Sequence, residues 1–292
     1  MGQRDIRAIG FICVILLVAA GIGWIGSHGS VERAGWPLFV LCGALAFGVN
    51  WIVFVPSFLA QTEHYFDLTG SLTYISLILF AWFLNPTRDP RSLLLAALVI
   101  LWALRLGTFL FRRVKADGSD GRFDKLKPHF PTFLMVWTLQ GLWVFLTLAC
   151  VLAAMTSAES VPLGSFAAVG VLVFLLGWGI EILADSQKSA FRRAPGNRGR
   201  FIDVGLWAWS RHPNYFGEIT LWVGLALVAF PTLYGWRYFA LISPLFVFIL
   251  LTRISGIPLL AARGKERWGE EPAYQEYLAR TSKLVPRPPR NS

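Results

Sequence analysis

Long apolar runs dominate the chain. Stretches of about 17–25 residues, the length a helix needs to cross a bilayer, fall at roughly 8–26, 36–60, 69–85, 91–111, 131–156, 162–184, 215–233 and 238–256. The third is short and the seventh carries Glu218 near its start, so the pattern predicts seven or eight spans. The expected fold class is all-α, a polytopic transmembrane helical bundle. Three longer polar segments interrupt the pattern: 112–130, 185–214 and the tail from Arg253 onward.

Composition agrees with a lipid environment. Apolar residues make up 55% of the 292 and charged residues only 15%, against about a quarter charged in soluble domains; the mean hydropathy is +0.55. These figures exclude disorder, coiled coil and collagen. The net charge of +10 would suggest nucleic acid in a soluble protein, but here topology accounts for most of it. With the N-terminus placed in the cytoplasm, cytoplasmic segments hold 22 Lys and Arg and the opposite side 4, with Arg105 inside a span. That asymmetry follows the positive-inside rule and puts both termini in the cytoplasm. Twenty of the 27 basic residues lie on the three long polar segments. Their convergence would form a positive cavity mouth suited to a nucleotide phosphate or to anionic lipid head groups. No nucleic-acid partner is needed to explain the charge.

The first apolar run is too long for a signal-peptide core, and Ile6 stands where myristoylation wants Ser or Thr. Cys13, Cys42 and Cys150 all fall in apolar runs without paired spacing, so they read as packing residues, with no disulfide framework and no metal site. No internal repeat is found, and no Gly-x-Gly-x-x-Gly for a Rossmann dinucleotide fold.

Charge inside a span is costly and points to function. Arg105 either snorkels to the interface or faces the bundle as a buried cation. Glu181, Asp185, Lys188 and Arg192 follow i, i+4, i+7 and i+11, one polar stripe on a helix leaving the membrane. It is either self-paired or holds a polar ligand. In Arg211-His212-Pro213-Asn214-Tyr215-Phe216-Gly217-Glu218, Gly205 upstream breaks the preceding segment and Pro213 suits a first helical turn. Asn214, Tyr215 and Glu218 then share a side, with Arg211 and His212 at the positive end of the helix, an anion seat with a hydrogen-bonding wall. An interfacial anchor belt would look similar in composition. The tail, with Tyr277, Arg280 and Lys283, is either a lid or a solvated basic helix. The connection Gln61-Thr62-Glu63-His64-Tyr65-Phe66-Asp67 holds no Lys or Arg. It is either a plain acidic loop or a source of proton donors in Glu63, His64 and Tyr65.

The Leu101–Leu106 segment, the Asp185-to-Arg192 stripe, Arg211–Glu218 and Arg253-Ile254-Ser255-Gly256-Ile257-Pro258 together resemble the bacterial branch of the steroid 5-alpha-reductase family, over about residues 60–290. The resemblance implies a membrane reductase in which residues 1–60 are N-terminal transmembrane helices and 61–292 a reductase-like domain with cytoplasmic cofactor loops and a C-terminal lid. It implies hydride transfer from NADPH to the double bond of a 3-oxo-4-ene steroid or similar apolar lipid entering from the bilayer. The location would be a bacterial inner membrane, with the cofactor site facing the cytoplasm. Asp185, Arg192, Arg211, His212, Asn214, Tyr215 and Glu218 would hold the cofactor, aided by Arg105, Arg113, Arg122 and Lys283. The family's adjacent Gln-Glu pair is split here as Gln61-Thr62-Glu63, and Phe109 falls near the place of its Tyr. The developing oxyanion needs a donor: Glu63 if burial keeps it protonated, otherwise Tyr65 or His64. Isoprenylcysteine methyltransferases, which use S-adenosylmethionine, share the Arg-His-Pro-Asn-Tyr element and supply the alternative.

Overall fold

The computed structural model describes residues 2–117, 121 and 123–289, with the backbone alone for 113–117. Among these, eight helical stretches are long and apolar enough to cross a membrane, which makes the chain an all-α integral membrane protein. The first six are α1 (Gln3–Gly26), α2 (Leu38–Leu59), α3 (Phe66–Leu84), α4 (Pro90–Asp117), α5 (Phe130–Met155) and α6 (Ser165–Arg193). A short helix α7 (Leu206–Trp209) precedes the seventh span, α8 (Pro213–Ala229). The eighth span is not one regular helix. It runs through a 3-10 segment at Gly235–Leu241, α9 (Ile242–Ile249) and a π-turn at Leu250–Ile254 into α10 (Ile257–Trp268), and α11 (Pro272–Arg280) follows. Pro244 lacks the N–H that would tie α9 to the turn before it. In the π-turn, the Ser255 and Gly256 amides both point at the Leu250 carbonyl. A two-residue antiparallel hairpin, β1 (Glu32–Arg33) with β2 (Trp36–Pro37), joins α1 to α2.

Helix ends follow local chemistry. Asp89 caps α4 by accepting the Ser92 amide at 2.6 Å. Asn85 donates to the carbonyls of Met155 and Ser157 at 2.8 and 2.9 Å, closing the last turn of α5.

The chain packs as two compact units. The first comprises Met1–Ala167 and Val228–Ser243, the second Ala168–Leu227 and Pro244–Ser292. Helix α5 is the axis of the first. Its apolar window is 83% buried, against 22% for α1, as expected of a helix apolar on every side and wrapped by others. Cys42 and Cys150 are buried there as packing residues, whereas Cys13 is exposed on α1.

Connections of this unit alternate between its two ends. At one, Arg4 donates to the Lys125 carbonyl at 2.5 Å and Lys127 pairs with Glu63, so the N-terminus, the 61–65 turn and the 123–129 segment meet. At the other, Ser30 bridges to Ser157, and Arg33 donates to the Leu84 carbonyl at 2.8 Å. Fully buried Arg237 donates there to Ser157 Oγ at 3.1 Å and to the Ala153 carbonyl. This is the up-and-down order that the charge asymmetry requires.

Candidate functional site

Glycines set the geometry of the second unit. Gly170 and Gly177 on α6, and Gly217 and Gly224 on α8, each stand seven residues apart and so share a face. A Cβ on Gly177 would lie 2.5 Å from the Leu221 nitrogen and 2.6 Å from the Gly217 carbonyl oxygen. One on Gly217 would lie 2.6 Å from the Gly177 oxygen and 2.7 Å from the Glu181 nitrogen, and one on Gly224 2.5 Å from the Phe174 nitrogen. The two backbones therefore touch, as small residues permit between membrane helices. The contact carries Asp185, buried on α6, to Asn214 at the start of α8, whose Nδ2 donates to Asp185 Oδ1 at 3.3 Å. Buried Glu181 lies one turn before Asp185, and half-buried Glu218 one turn beyond Asn214.

The segment between the helices is docked onto α6. Gly205 turns the chain at φ +61°, where a Cβ would strike the Gln187 amide. The Leu206 amide donates to Gln187 Oε1 at 2.9 Å, and the buried Trp207 indole donates to the Ala184 carbonyl at 3.0 Å. The Lys188 ammonium sits 4.6 Å above the Trp207 ring, a cation–π contact. The tail then straps this segment. The Arg211 amide donates to the Ser282 carbonyl (2.8 Å), Ser210 Oγ to the Leu284 carbonyl (2.7 Å) and the Arg287 amide to the Trp209 carbonyl (3.0 Å). Tyr277 donates its hydroxyl to the Trp207 carbonyl at 2.9 Å, and burial pushes its phenol above the ordinary range. Arg280 pairs with Asp203 and Glu276 at 3.7 and 3.6 Å.

His212 stands at the centre of this arrangement. Its amide donates to Ser210 Oγ at 3.1 Å, and its ring stacks on Tyr215 with centroids 5.6 Å apart and planes 11° from parallel. Gly256 backs the stack, since a Cβ there would come 2.9 Å from the Tyr215 ring. Burial, with the cations Lys188, Arg211 and Lys283 nearby, lowers the His212 pKa from 6.5 to about 3, so the imidazole is neutral. Its Nδ1 and the Nε of Arg211 are buried with no hydrogen-bond partner among the described residues. A neutral ring amid cations, with two unused polar nitrogens, can receive an anionic, hydrogen-bonding ligand.

The second unit thus brings together Asp185, Arg211, His212, Asn214 and Tyr215, with Lys283 exposed on the strap and Arg192 on the exposed end of α6. In the first unit, Arg105 is half-buried on α4, 5.4 Å from the Phe109 ring, beside a surface groove shared with Thr108 and Arg112. The Arg113 side chain and Arg122 lie outside the described residues. Glu63 is 4% exposed and accepts from the Lys127 ammonium at 2.6 Å, with Asp124 at 3.3 Å from the same ammonium. The hydrogen bond to Glu63 is the main reason the Lys127 pKa is raised. A carboxylate held by an ammonium is an ion-pair acceptor; the protonated acid expected from burial alone does not suit this geometry. His64 and Tyr65 are exposed.

Trp207, Gln187, Ser210 and the four crossing glycines escaped the sequence reading as site-forming residues. Only the glycine spacing left a visible signal. Among the described residues no group of three His, Cys, Asp or Glu is placed to hold a metal ion.

The chain is 23% identical over 228 residues to an uncharacterized protein of Schizosaccharomyces pombe, covering 68% of this chain and 64% of that one. It is 34% identical over 91 residues to ustE of Ustilaginoidea virens, described as a probable O-methyltransferase, covering 29% of this chain and 32% of that one. The chain therefore spans less than two thirds of either relative's length. No solved structure matches it. A family model described as Protein of unknown function (DUF1295) matches residues 53–281, and the chain belongs to that family.

Proposed function

We propose that the chain is a membrane-embedded oxidoreductase that uses NADPH to saturate the enone of an apolar, steroid-like substrate. The observation that carries this reading is the cation set around neutral His212, namely Lys188, Arg211 and Lys283, with buried Arg211 Nε and His212 Nδ1, which have no hydrogen-bond partner among the described residues. Such a set fits a dinucleotide. Guanidinium and ammonium groups take phosphate oxygens, and the start of α8 favours an anion. The Asp185–Asn214 pair offers an acceptor and a donor to an amide or ribose, and the His212–Tyr215 stack offers a flat face to a ring. Glu218 extends the polar wall, and Arg192 is a further basic contact in this reading. When bound, NADPH would supply the hydride that adds to the β-carbon of a conjugated ketone. The chain's own groups bind and orient, the strap at 281–287 limits water, and a donor meets the ketone oxygen as it gains charge. With Glu63 engaged by Lys127, His64 and Tyr65 are the proposed donors. In this reading the side rich in Lys and Arg is the cytoplasmic one, so the site faces the cytoplasm of a bacterial inner membrane.

A second reading, a methyltransferase using S-adenosylmethionine, is favoured by the similarity to the probable O-methyltransferase. The carboxylate of that cofactor asks for fewer cations than converge on His212. Thermal melting of the purified protein separates the two. Stabilisation by NADPH, lost in Asn214→Ala and in Arg211→Gln, is expected. Stabilisation by S-adenosylmethionine alone would replace the first reading with the second, and stabilisation by neither would sink both.

A further inference from the structure

Cations that this site does not use collect on another face of the second unit. Arg198 and Arg200 lie in the loop after α6, and Arg263, Lys265 and Arg267 on α10. Trp268 joins the two. Its indole N–H donates to the Gly199 carbonyl, and its ring meets the edge of Phe201 at 5.9 Å. Phe201 packs in turn on Tyr274 at 5.1 Å. All five cationic side chains are exposed, and none has a hydrogen-bond or ion-pair partner among the described residues. Of the nearby carboxylates, Asp203 and Glu276 are taken by Arg280. Glu270 and Glu271 precede α11, where a helix N-terminus favours them. Glu266 alone shares α10 with the cations.

Depth relative to the membrane identifies the partner. Helix α10 is the closing part of the last span, and Ile254 and Leu259 are 60% and 46% exposed there, apolar surface that belongs in lipid. Arg263, Lys265 and Arg267 stand four, six and eight residues beyond Leu259, about 6–12 Å along a helix. The polar layer on each side of a bilayer's hydrocarbon is about 5–8 Å deep. On α10, Arg263 and Arg267 lie one turn apart on one flank and Lys265 on the other, so the unneutralised cations ring the end of the span, within side-chain reach of lipid phosphates. A free phosphate or nucleotide would need a concave seat with a buried cation, whereas these exposed side chains are spread around α10 and along the 198–200 loop.

We propose that this surface, built from Arg198, Arg200, Arg263, Lys265 and Arg267, docks the head groups of anionic phospholipids in the host bilayer. It does not depend on the redox reading.

The test reconstitutes the full chain in vesicles of phosphatidylcholine and phosphatidylglycerol, extracts it in neutral detergent and measures the copurifying lipids by mass spectrometry. Phosphatidylglycerol should be enriched several-fold over its bulk share. The variant Arg263→Gln, Lys265→Gln, Arg267→Gln should fall to the bulk ratio, since each cation is worth roughly fivefold, while melting like the parent in neutral detergent. A bulk ratio in the parent, or undiminished enrichment in a variant that melts normally, would overturn the proposal. Loss of enrichment to millimolar inorganic phosphate at constant ionic strength would also overturn it, by marking a phosphate site instead.

Discussion

The glycine crossing of α6 and α8 is the contact on which the candidate site depends, and Gly217→Ala tests it. The added Cβ would lie 2.6 Å from the Gly177 oxygen and 2.7 Å from the Glu181 nitrogen, where real contacts stay above 3.0 Å and settle at 3.4 Å or more. Both obstacles are backbone, so no side chain can swing aside and the helices must part by about 0.4–0.8 Å. The Asn214–Asp185 bond is already 3.3 Å long, and an added 0.4 Å takes it beyond about 3.6 Å, where no hydrogen bond remains. Overpacking of this kind costs about 1–3 kcal/mol. A bond to a charged carboxylate adds about 1.5–3 kcal/mol to the loss. In detergent the variant should melt several degrees lower, at about 2–4 °C per kcal/mol, and bind NADPH about tenfold more weakly. Gly179→Ala on the same α6 is the internal control: nothing lies within 4 Å of its Cβ, so alanine should leave melting unchanged or raise it slightly. A Gly217→Ala protein with parental melting and parental affinity would refute the close-contact argument. Lower melting with unchanged NADPH affinity would keep the packing and dismiss the pair as a cofactor ligand.

Lys127→Met strands the Glu63 carboxylate, 2% exposed in its side chain. It should cost about 3–5 kcal/mol by calorimetry, more than the double change with Glu63→Gln; equal costs would deny the pairing. Because Lys127 is raised above 10.5, the stability it contributes as a cation is complete below that pH and is lost as pH climbs through the folded value. His212 behaves in the opposite sense: between pH 6.5 and about 3 the unfolded chain binds a proton that the folded one refuses. Acidification through that window should therefore lower the melting temperature. His212→Asn should flatten this part of the profile, and an unaltered slope would contradict a buried neutral ring. Tyr277→Phe removes the bond to the Trp207 carbonyl, worth about 1 kcal/mol. Protease should then release the tail roughly fivefold faster, and an unchanged cleavage rate would count against the strap.

The spans were legible because lipid imposes a length and forbids unpaired backbone, so each crossing leaves a run of apolar residues whatever it packs against. Position within the bundle was not. The window of α1 has a hydropathy of 2.6 and is 22% buried, while that of α5 has 1.9 and is 83% buried. Lipid tails are as apolar as leucine, so hydropathy cannot distinguish a helix facing lipid from one facing other helices. What does distinguish them is small residues: the seven-residue spacing at Gly170, Gly177, Gly217 and Gly224 carries that signal, but it names no partner helix and the α6–α8 contact went unread. The residues around His212 were legible because charge next to a span is costly and therefore conspicuous. The tail left two readings open, lid or solvated helix, and its points of attachment were not legible, because the Arg211 amide meets the Ser282 carbonyl through main chain, which every residue possesses. The partner of Glu63 was hidden for a related reason. Its cation, Lys127, lies 64 residues away in sequence, so burial alone left the protonation of that carboxyl open. A carboxyl near a span should therefore be assigned no proton until the cations of the other connections at the same membrane face have been considered.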